Sequence, residues 1–215
     1  MRLEAFAPEA QPEAYNAVVE LTGAFPTCGS LALLGRSGTG KTHLAVGTLL
    51  VLADAGIYGR YVHLPGLVLS LNTSYDRSEA ERQRLEPLLS VPLLVLDDIG
   101  REKLTDHMAS WLDRIADARW VHRLPTILAA NLSRPEVLTW LGRAAASRMG
   151  ESCQWVTMAA VDRRLMPVRA IGSRPPSTVE PCATCNDAGW LINDRWAVGT
   201  NRLMRCPTCQ GRTAA

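Results

Sequence analysis

A glycine-rich segment, placed between an apolar run and a stretch with helical spacing, constrains this sequence more than any other feature. The segment GRSGTGKT (residues 35–42) fits the pattern G-x-x-x-x-G-K-[ST]; SLALLG precedes it and a helix-like stretch from Lys41 to Ala55 follows. Glycines let a backbone wrap closely around phosphate groups, and a helix start adds the positive end of its dipole. The pattern predicts a strand–loop–helix unit that binds phosphate; the alternative is a glycine-rich turn with a surface lysine.

Two side chains of this segment have separate expected roles at a nucleotide. Lys41 is expected to reach the β- and γ-phosphates, and Thr42 is expected to ligate Mg²⁺. The expected cofactors are therefore ATP and Mg²⁺. The predicted nucleotide-binding residues are Gly35, Arg36, Ser37, Gly38, Thr39, Gly40, Lys41, Thr42, His43 and Asp97.

Polar side chains also follow the next two predicted buried strands. Asp97 and Asp98 end the run LLVLDD, and Asn131 follows ILAA. Ligands of open α/β sheets bind at the carboxyl ends of the strands, so we expect Asp97 to hold the Mg²⁺ shell. Asp98 is expected to orient or deprotonate the attacking water, and Asn131 to help position that water. The alternatives are a turn cap for Asp98 and an ordinary turn residue for Asn131.

Strand-like and helix-like segments alternate along the chain. Strands are predicted at residues 30–35, 60–64, 92–98, 125–131 and 154–158, and helices at 11–22, 41–55, within 65–84, at 105–122 and on both sides of Gly142. The alternation predicts an α/β fold, a parallel sheet with helices on both faces. Four prolines indicate a linker at residues 166–181. We therefore predict an ATP-binding domain at 1–165, that linker, and a small C-terminal tail at 182–215.

The tail carries two Cys-x-x-Cys pairs, which are separated by 20 residues. This spacing is typical of a Cys₄ zinc site, which would supply folding energy that the few apolar residues cannot. The predicted zinc ligands are Cys182, Cys185, Cys206 and Cys209. Disulfides or a redox pair are the alternative. The tail also contains Trp190, Trp196 and nearby arginines, which could bind single-stranded DNA. Protein docking is the other role considered for the tail.

The bulk composition excludes several classes of protein. The formal charge of +2 gives no chain-wide electrostatic argument for nucleic acid binding. The amino terminus has acidic residues where an export signal needs basic ones, and the longest apolar stretch, from Leu44 to Ala55, is too short to span a membrane. Paired cysteines without an export signal favour a reducing compartment. We expect a cytoplasmic protein that does not enter a membrane.

Five segments resemble the DnaC/IstB group of AAA+ ATPases in order and spacing over residues 25–165. They are GRSGTGKTHLA, PLLVLDDIGREKLTD, LPTILAANLS, ASRMGE and VDRR. The resemblance implies a P-loop fold without a helical lid, an ATP-dependent homo-oligomer, and the sensor 1 position for Asn131. It also implies that Arg148 acts on the ATP of a neighbouring subunit. Arg143 is the second candidate, and a surface or salt-bridged arginine is the alternative. Asp98 stands where many AAA+ proteins have the longer Glu, which predicts slow hydrolysis.

The same resemblance implies two functions, between which the sequence does not choose. One is a loader that delivers a replicative helicase to DNA, and the other is an IstB-like transposition ATPase that binds DNA and recruits a transposase. This sequence differs from the group in two ways. Ala129 and Ala130 stand where the group often has threonines, and the amino-terminal partner-binding domain usual in the group is not expected in this sequence. A small-molecule kinase and a zinc adaptor with a purely structural ATP site are the remaining interpretations.

Overall fold

The computed structural model describes residues 2–75, 77–101 and 103–159, together with two strands further along the chain. The strands are β1 Ser30–Leu34, β2 Gly59–His63, β3 Leu93–Ile99, β4 Thr126–Ala130, β5 Cys153–Thr157, β6 Trp190–Asn193 and β7 Thr200–Arg205. The helices are α1 Pro12–Ala24, α2 Lys41–Asp54, α3 Leu64–Asn72, α4 Arg77–Arg84, α5 Asp106–Val121, α6 Arg134–Leu141 and α7 Arg143–Ser152. None of the helices in the described ranges is long and apolar enough to cross a membrane.

Five of the strands form a parallel sheet in the order β5-β1-β4-β3-β2. The predicted α/β fold is therefore confirmed. Strand β7 continues the sheet antiparallel to β2, with Asn201 opposite Tyr61, and β6 pairs antiparallel with β7. The four predicted zinc ligands lie outside the described residues. Within those residues, no cluster of three or more His, Cys, Asp or Glu side chains could hold a metal ion.

The core consists of two apolar layers, one on each face of the sheet. Strands β1 and β4 are buried along their whole length, as strands covered by helices on both faces must be. Along β1, Leu31 and Leu33 face the layer formed with α1 and α2, whereas Ala32 and Leu34 face the layer formed with α3 to α7. Because the five strands run parallel, their carboxyl ends lie at one edge of the sheet, where the polar residues predicted above follow β3 and β4.

A buried arginine joins the segments at the other edge of the sheet, where β3 and β4 begin. Arg119 on α5 is only 3% exposed, and burial lowers its pKa to about 9, so the guanidinium stays charged at neutral pH. Its nitrogens donate to Thr126 Oγ1 (2.8 Å) and to the carbonyl oxygens of Leu88 (3.0 Å), Val91 (2.8 Å) and Pro125 (2.7 Å). One side chain thereby joins α5 to the segments that enter β3 and β4.

We expect the Arg119→Ala substitution to lower the free energy of unfolding by about 3 kcal/mol, because several buried oxygens would lose their donor together. The matched control is Arg123→Ala, at an exposed arginine just beyond the same helix, which we expect to change stability by less than about 0.5 kcal/mol. Urea unfolding measures both values. Equal stability of the two variants would contradict a stabilising role for Arg119.

Candidate nucleotide-binding site

The loop between β1 and α2 has a backbone that only glycine adopts readily at three positions. Gly35, Gly38 and Gly40 have φ angles of +143°, +83° and +104°. Gly40 is also closely approached, since an added Cβ would lie 2.7 Å from Cε2 of Phe6. The first turn of α2 contains no acidic residue, which leaves the positive end of its dipole to an anionic ligand. The loop therefore has the form of a phosphate cradle.

The side chain of Lys41 folds back over this loop. Its Nζ donates to the carbonyl oxygens of Gly35 (2.7 Å) and Arg36 (2.8 Å), and the residue is 7% exposed. The ammonium is thus held within the glycine loop, where its charge is complementary to phosphate. Thr39 is fully buried, and its hydroxyl donates to the carbonyl oxygen of Arg36, so this residue supports the loop from inside.

Asp97 at the end of β3 lies against the first turn of α2. Its Oδ2 accepts hydrogen bonds from Thr42 Oγ1 and from the Tyr61 hydroxyl, both at 2.8 Å, and its Oδ1 accepts one from the backbone N–H of Asp98 at 2.9 Å. Burial, followed by the neighbouring Asp97 charge, raises the pKa of Tyr61, so its hydroxyl remains a donor at neutral pH. The adjacent oxygens of Thr42 and Asp97 are the hard ligands that Mg²⁺ prefers, so these two residues fit the predicted metal.

Asp98 is held in an unusual backbone conformation, with Asn131 beside it. Its φ angle is +60°, a left-handed region that few residues other than glycine adopt and in which Asp is enriched. Asn131 Nδ2 donates to Asp98 Oδ1 at 3.1 Å. The ends of β3 and β4 therefore bring together the two side chains that the sequence predicts to act on the attacking water.

Two further side chains approach Asp98, and neither was predicted from the sequence as a site residue. Arg101 Nη1 donates to Oδ2 at 3.2 Å, and His63 Nε2 lies 3.5 Å from the same oxygen. The Nδ1 of His63 accepts the backbone N–H of Gly66 at 3.3 Å, which places the proton of the neutral ring on Nε2, facing the carboxylate. Both oxygens of Asp98 are thus already engaged.

These side chains line one cleft of about 540 Å³, a size typical of small-molecule sites. Phe6 also lines it, and its ring contacts that of His43 with 5.5 Å between centroids. Nine of the predicted residues belong to its wall: Ser37, Gly38, Gly40, Lys41, Thr42, His43, Asp97, Asp98 and Asn131. The predicted loop residues Gly35, Arg36 and Thr39 do not line the cleft.

The predicted arginines lie elsewhere, on α7. Arg143 begins this helix and is exposed, while Arg148 donates from Nε to Asp117 Oδ1 on α5 at 2.7 Å. Neither residue lines the cleft. The structure therefore does not bring Arg148 together with Lys41, Asp98 and Asn131 within one chain.

The parallel sheet, the glycine loop with Lys41, and the paired polar side chains at the ends of β3 and β4 define a P-loop ATP-binding protein of the AAA+ type. Residues 20–160 match the family described as IstB-like ATP binding protein, and the chain belongs to this family.

Two of the relatives carry different functional descriptions. The chain is 28% identical to the replicative helicase loader DnaC of Escherichia coli (strain K12) over 121 residues, which are 56% of this chain and 49% of DnaC. It is 34% identical to the insertion sequence IS21 putative ATP-binding protein of Pseudomonas aeruginosa over 102 residues, which are 47% of this chain and 38% of that protein. The chain therefore spans half or less of the length of these curated relatives.

A crystal structure of the DnaC helicase loader has the same fold. It superimposes with a TM-score of 0.64 at 26% sequence identity, and the match covers 74% of this chain and 96% of that one. This similarity supports the assignment of the fold made from topology.

We expect the Tyr61→Phe substitution to weaken Mg²⁺-dependent ATP binding about fivefold, because Asp97 loses a donor worth about 1 kcal/mol while the ring packing is kept. Tyr58→Phe is the control, since Tyr58 is 56% exposed near the same strand. Calorimetric titration with ATP, with and without Mg²⁺, measures the effect. A Tyr61→Phe protein that binds Mg²⁺-ATP as tightly as the unsubstituted protein would exclude Tyr61 from positioning Asp97.

Proposed function

We propose that this protein is an AAA+ switch that binds ATP, hydrolyses it slowly, and loads a replicative helicase onto DNA. The observation that carries the proposal is the joining of Thr42 to Asp97 and of Asp98 to Asn131 in one cleft beside Lys41. Similarity to the helicase loader DnaC in sequence and structure supports the choice of partner.

The residues of the cleft divide the work of hydrolysis among them. Lys41 and the loop N–H groups bind phosphate, while Thr42 and Asp97 hold Mg²⁺, which supplies charge neutralisation when it is bound with ATP. Asp98 orients a water molecule and accepts its proton, and Asn131 orients Asp98. Hydrolysis is slow in the isolated subunit because both oxygens of Asp98 already accept or face donors.

The catalytic site is completed by a second copy of the chain. Arg148 lies outside the cleft of its own subunit, so its guanidinium reaches a transferring phosphoryl group only when it comes from a neighbour. ATP-dependent assembly and hydrolysis are thereby coupled, and each subunit that joins the homo-oligomer supplies an arginine to the next.

A second candidate function is that of a transposition ATPase that binds DNA and recruits a transposase. The similarity to the IS21 putative ATP-binding protein favours it, as does the description of the family. The cleft serves both functions equally well, because each needs ATP-dependent assembly. The two functions differ in the partner that the ATP-bound protein retains.

We also propose that the C-terminal tail is the part of the chain that binds the partner. Its four cysteines, Cys182, Cys185, Cys206 and Cys209, would bind one zinc ion and fold the tail around it. The proposed role is docking of the helicase, and contact with single-stranded DNA is the alternative role.

We expect the Lys41→Ala substitution to weaken ATP binding about 100-fold, which is about 2.8 kcal/mol, since the ammonium lies against the carbonyl oxygens of the glycine loop, where its charge is complementary to phosphate. The control is Lys103→Ala, at an exposed lysine in the loop after β3. Calorimetry provides the affinities. Unchanged affinity in Lys41→Ala would remove the phosphate-site assignment.

The same two variants test the partner. Tagged protein is incubated, with ATP or without nucleotide, with a replicative helicase and, separately, with a transposase of the IS21 type. A helicase retained only with ATP, by the unsubstituted protein and Lys103→Ala but not by Lys41→Ala, is the expected result. Retention of the transposase instead would replace the loader by the transposition ATPase.

For the tail, we expect about one zinc per chain in reduced, freshly purified protein, and its loss when Cys206 and Cys209 are both replaced by Ser. Cys28→Ser is the control, because Cys28 lies next to β1 in the ATP-binding domain. Metal analysis and ATP calorimetry are run on the same samples. ATP binding should be unchanged in the double Cys-to-Ser variant and in Cys28→Ser. Zinc well below one equivalent in the unsubstituted protein would refute the metal proposal.

A further inference from the structure

Helix α7, which carries Arg148, is fixed to α5 by two carboxylates. Asp113 Oδ1 accepts the backbone N–H of Ala145 at 3.0 Å, and Asp117 Oδ1 accepts Nε of Arg148 at 2.7 Å. Asp113 and Asp117 are four residues apart, so they lie on the same face of α5. The two contacts are three residues apart on α7 and therefore set both the rotation of α7 and its position along α5.

The contact of Asp113 replaces a cap that α7 lacks. The residue before α7 is Gly142, which has no side chain to accept from the first turn. A carboxylate from α5 takes that place at the N–H of Ala145, where the helix dipole also favours a negative charge. Ala145 and Met149 are buried against the core, so α7 is held on its inner face by packing and at its start by Asp113.

The contact of Asp117 selects which edge of the Arg148 guanidinium is presented. Asp117 takes Nε and pairs with Nη2, and the carbonyl oxygen of Ala144 accepts from Nη1 at 3.1 Å. These contacts take three of the five N–H groups of the guanidinium, which leaves one N–H on each terminal nitrogen to donate to phosphate oxygens. The side chain is 31% exposed and that of Asp117 is 52% exposed, so the pair lies at the surface where a second subunit can reach it.

We propose that Asp117 is a positioning residue for hydrolysis, which holds the Arg148 guanidinium in the orientation required by the ATP site of a neighbouring subunit, while Asp113 fixes the helix that carries it. The inference rests on the proposed role of Arg148 in trans. Exposed ion pairs contribute little to stability, so the geometry of the guanidinium, rather than the fold of α7, is what Asp117 provides. Without it, the long arginine side chain samples many rotamers, and few of them point at the neighbour.

The experiment compares Asp117→Ala, Asp117→Asn and Arg148→Ala with the control Asp106→Ala, which removes an exposed carboxylate from the first turn of the same helix. ATPase rate per subunit is measured over a range of protein concentrations, because a site completed in trans becomes more active as subunits assemble. We expect Asp117→Ala to lower the plateau rate about tenfold and Arg148→Ala about 1,000-fold. Asp117→Asn keeps an acceptor oxygen and should recover part of the loss. ATP affinity and melting temperature should match those of the control.

Mixing subunits separates a trans role from a local structural one. Asp98→Asn protein cannot hydrolyse ATP but presents an intact Arg148 with its Asp117. Added to Asp117→Ala protein, whose own cleft is intact, it should restore activity above that of either variant alone. Full activity of Asp117→Ala at high concentration, a raised rate, or failure of the mixture to recover would overturn the positioning role.

The parallel mixture of Arg148→Ala with Asp98→Asn tests the proposed function itself. Recovery in this mixture but not in the Asp117→Ala mixture would leave Arg148 as the trans arginine and reject Asp117. Full activity of Arg148→Ala alone would reject the trans role of Arg148 and, with it, the positioning role of Asp117.

Discussion

The carboxylate of Asp97 is the contact on which the rest of the site depends. It is nearly buried, and a charge in that position is tolerated only if donors surround it. Those donors come from Thr42 on α2, Tyr61 on β2 and the backbone of Asp98, so satisfying one carboxylate ties the phosphate loop to two neighbouring strands. The order β1-β4-β3-β2 separates β1 from β3 by one strand, and this contact spans that gap at the carboxyl edge of the sheet.

Much of this arrangement could be predicted from the sequence because it depends on patterns within single short segments. The glycine positions of the loop, the apolar runs of β1, β3 and β4, and the polar residues that end them each follow from local spacing. Knowing that parallel strands share an edge then places Asp98 near Asn131 without any coordinates. The same rule applied to the half-buried β2 would have found Tyr61 and His63, which lie two residues apart on one face of the strand near that edge.

The remaining contacts depend on the relative placement of elements that no local pattern encodes. Arg101 donates to Asp98 across a turn in which Asp98 has a left-handed backbone, and nothing in the letters DDIGR fixes that angle. Asp113 and Asp117 look like ordinary solvent-facing charges on an amphipathic helix until α7 is packed beside them. Arg119 resembles a surface cation at the end of a helix, yet its environment is formed by the entry points of two strands.

The left-handed backbone of Asp98 also limits which residues can replace it. A short polar side chain relieves that conformation by bonding to nearby groups, and Asp and Asn are the residues that do so most readily. A longer Glu would reach further toward a water molecule but would carry a backbone penalty on the order of 1 kcal/mol unless the turn were rebuilt. A Glu at this position would therefore require a change in the residues that shape the turn after β3.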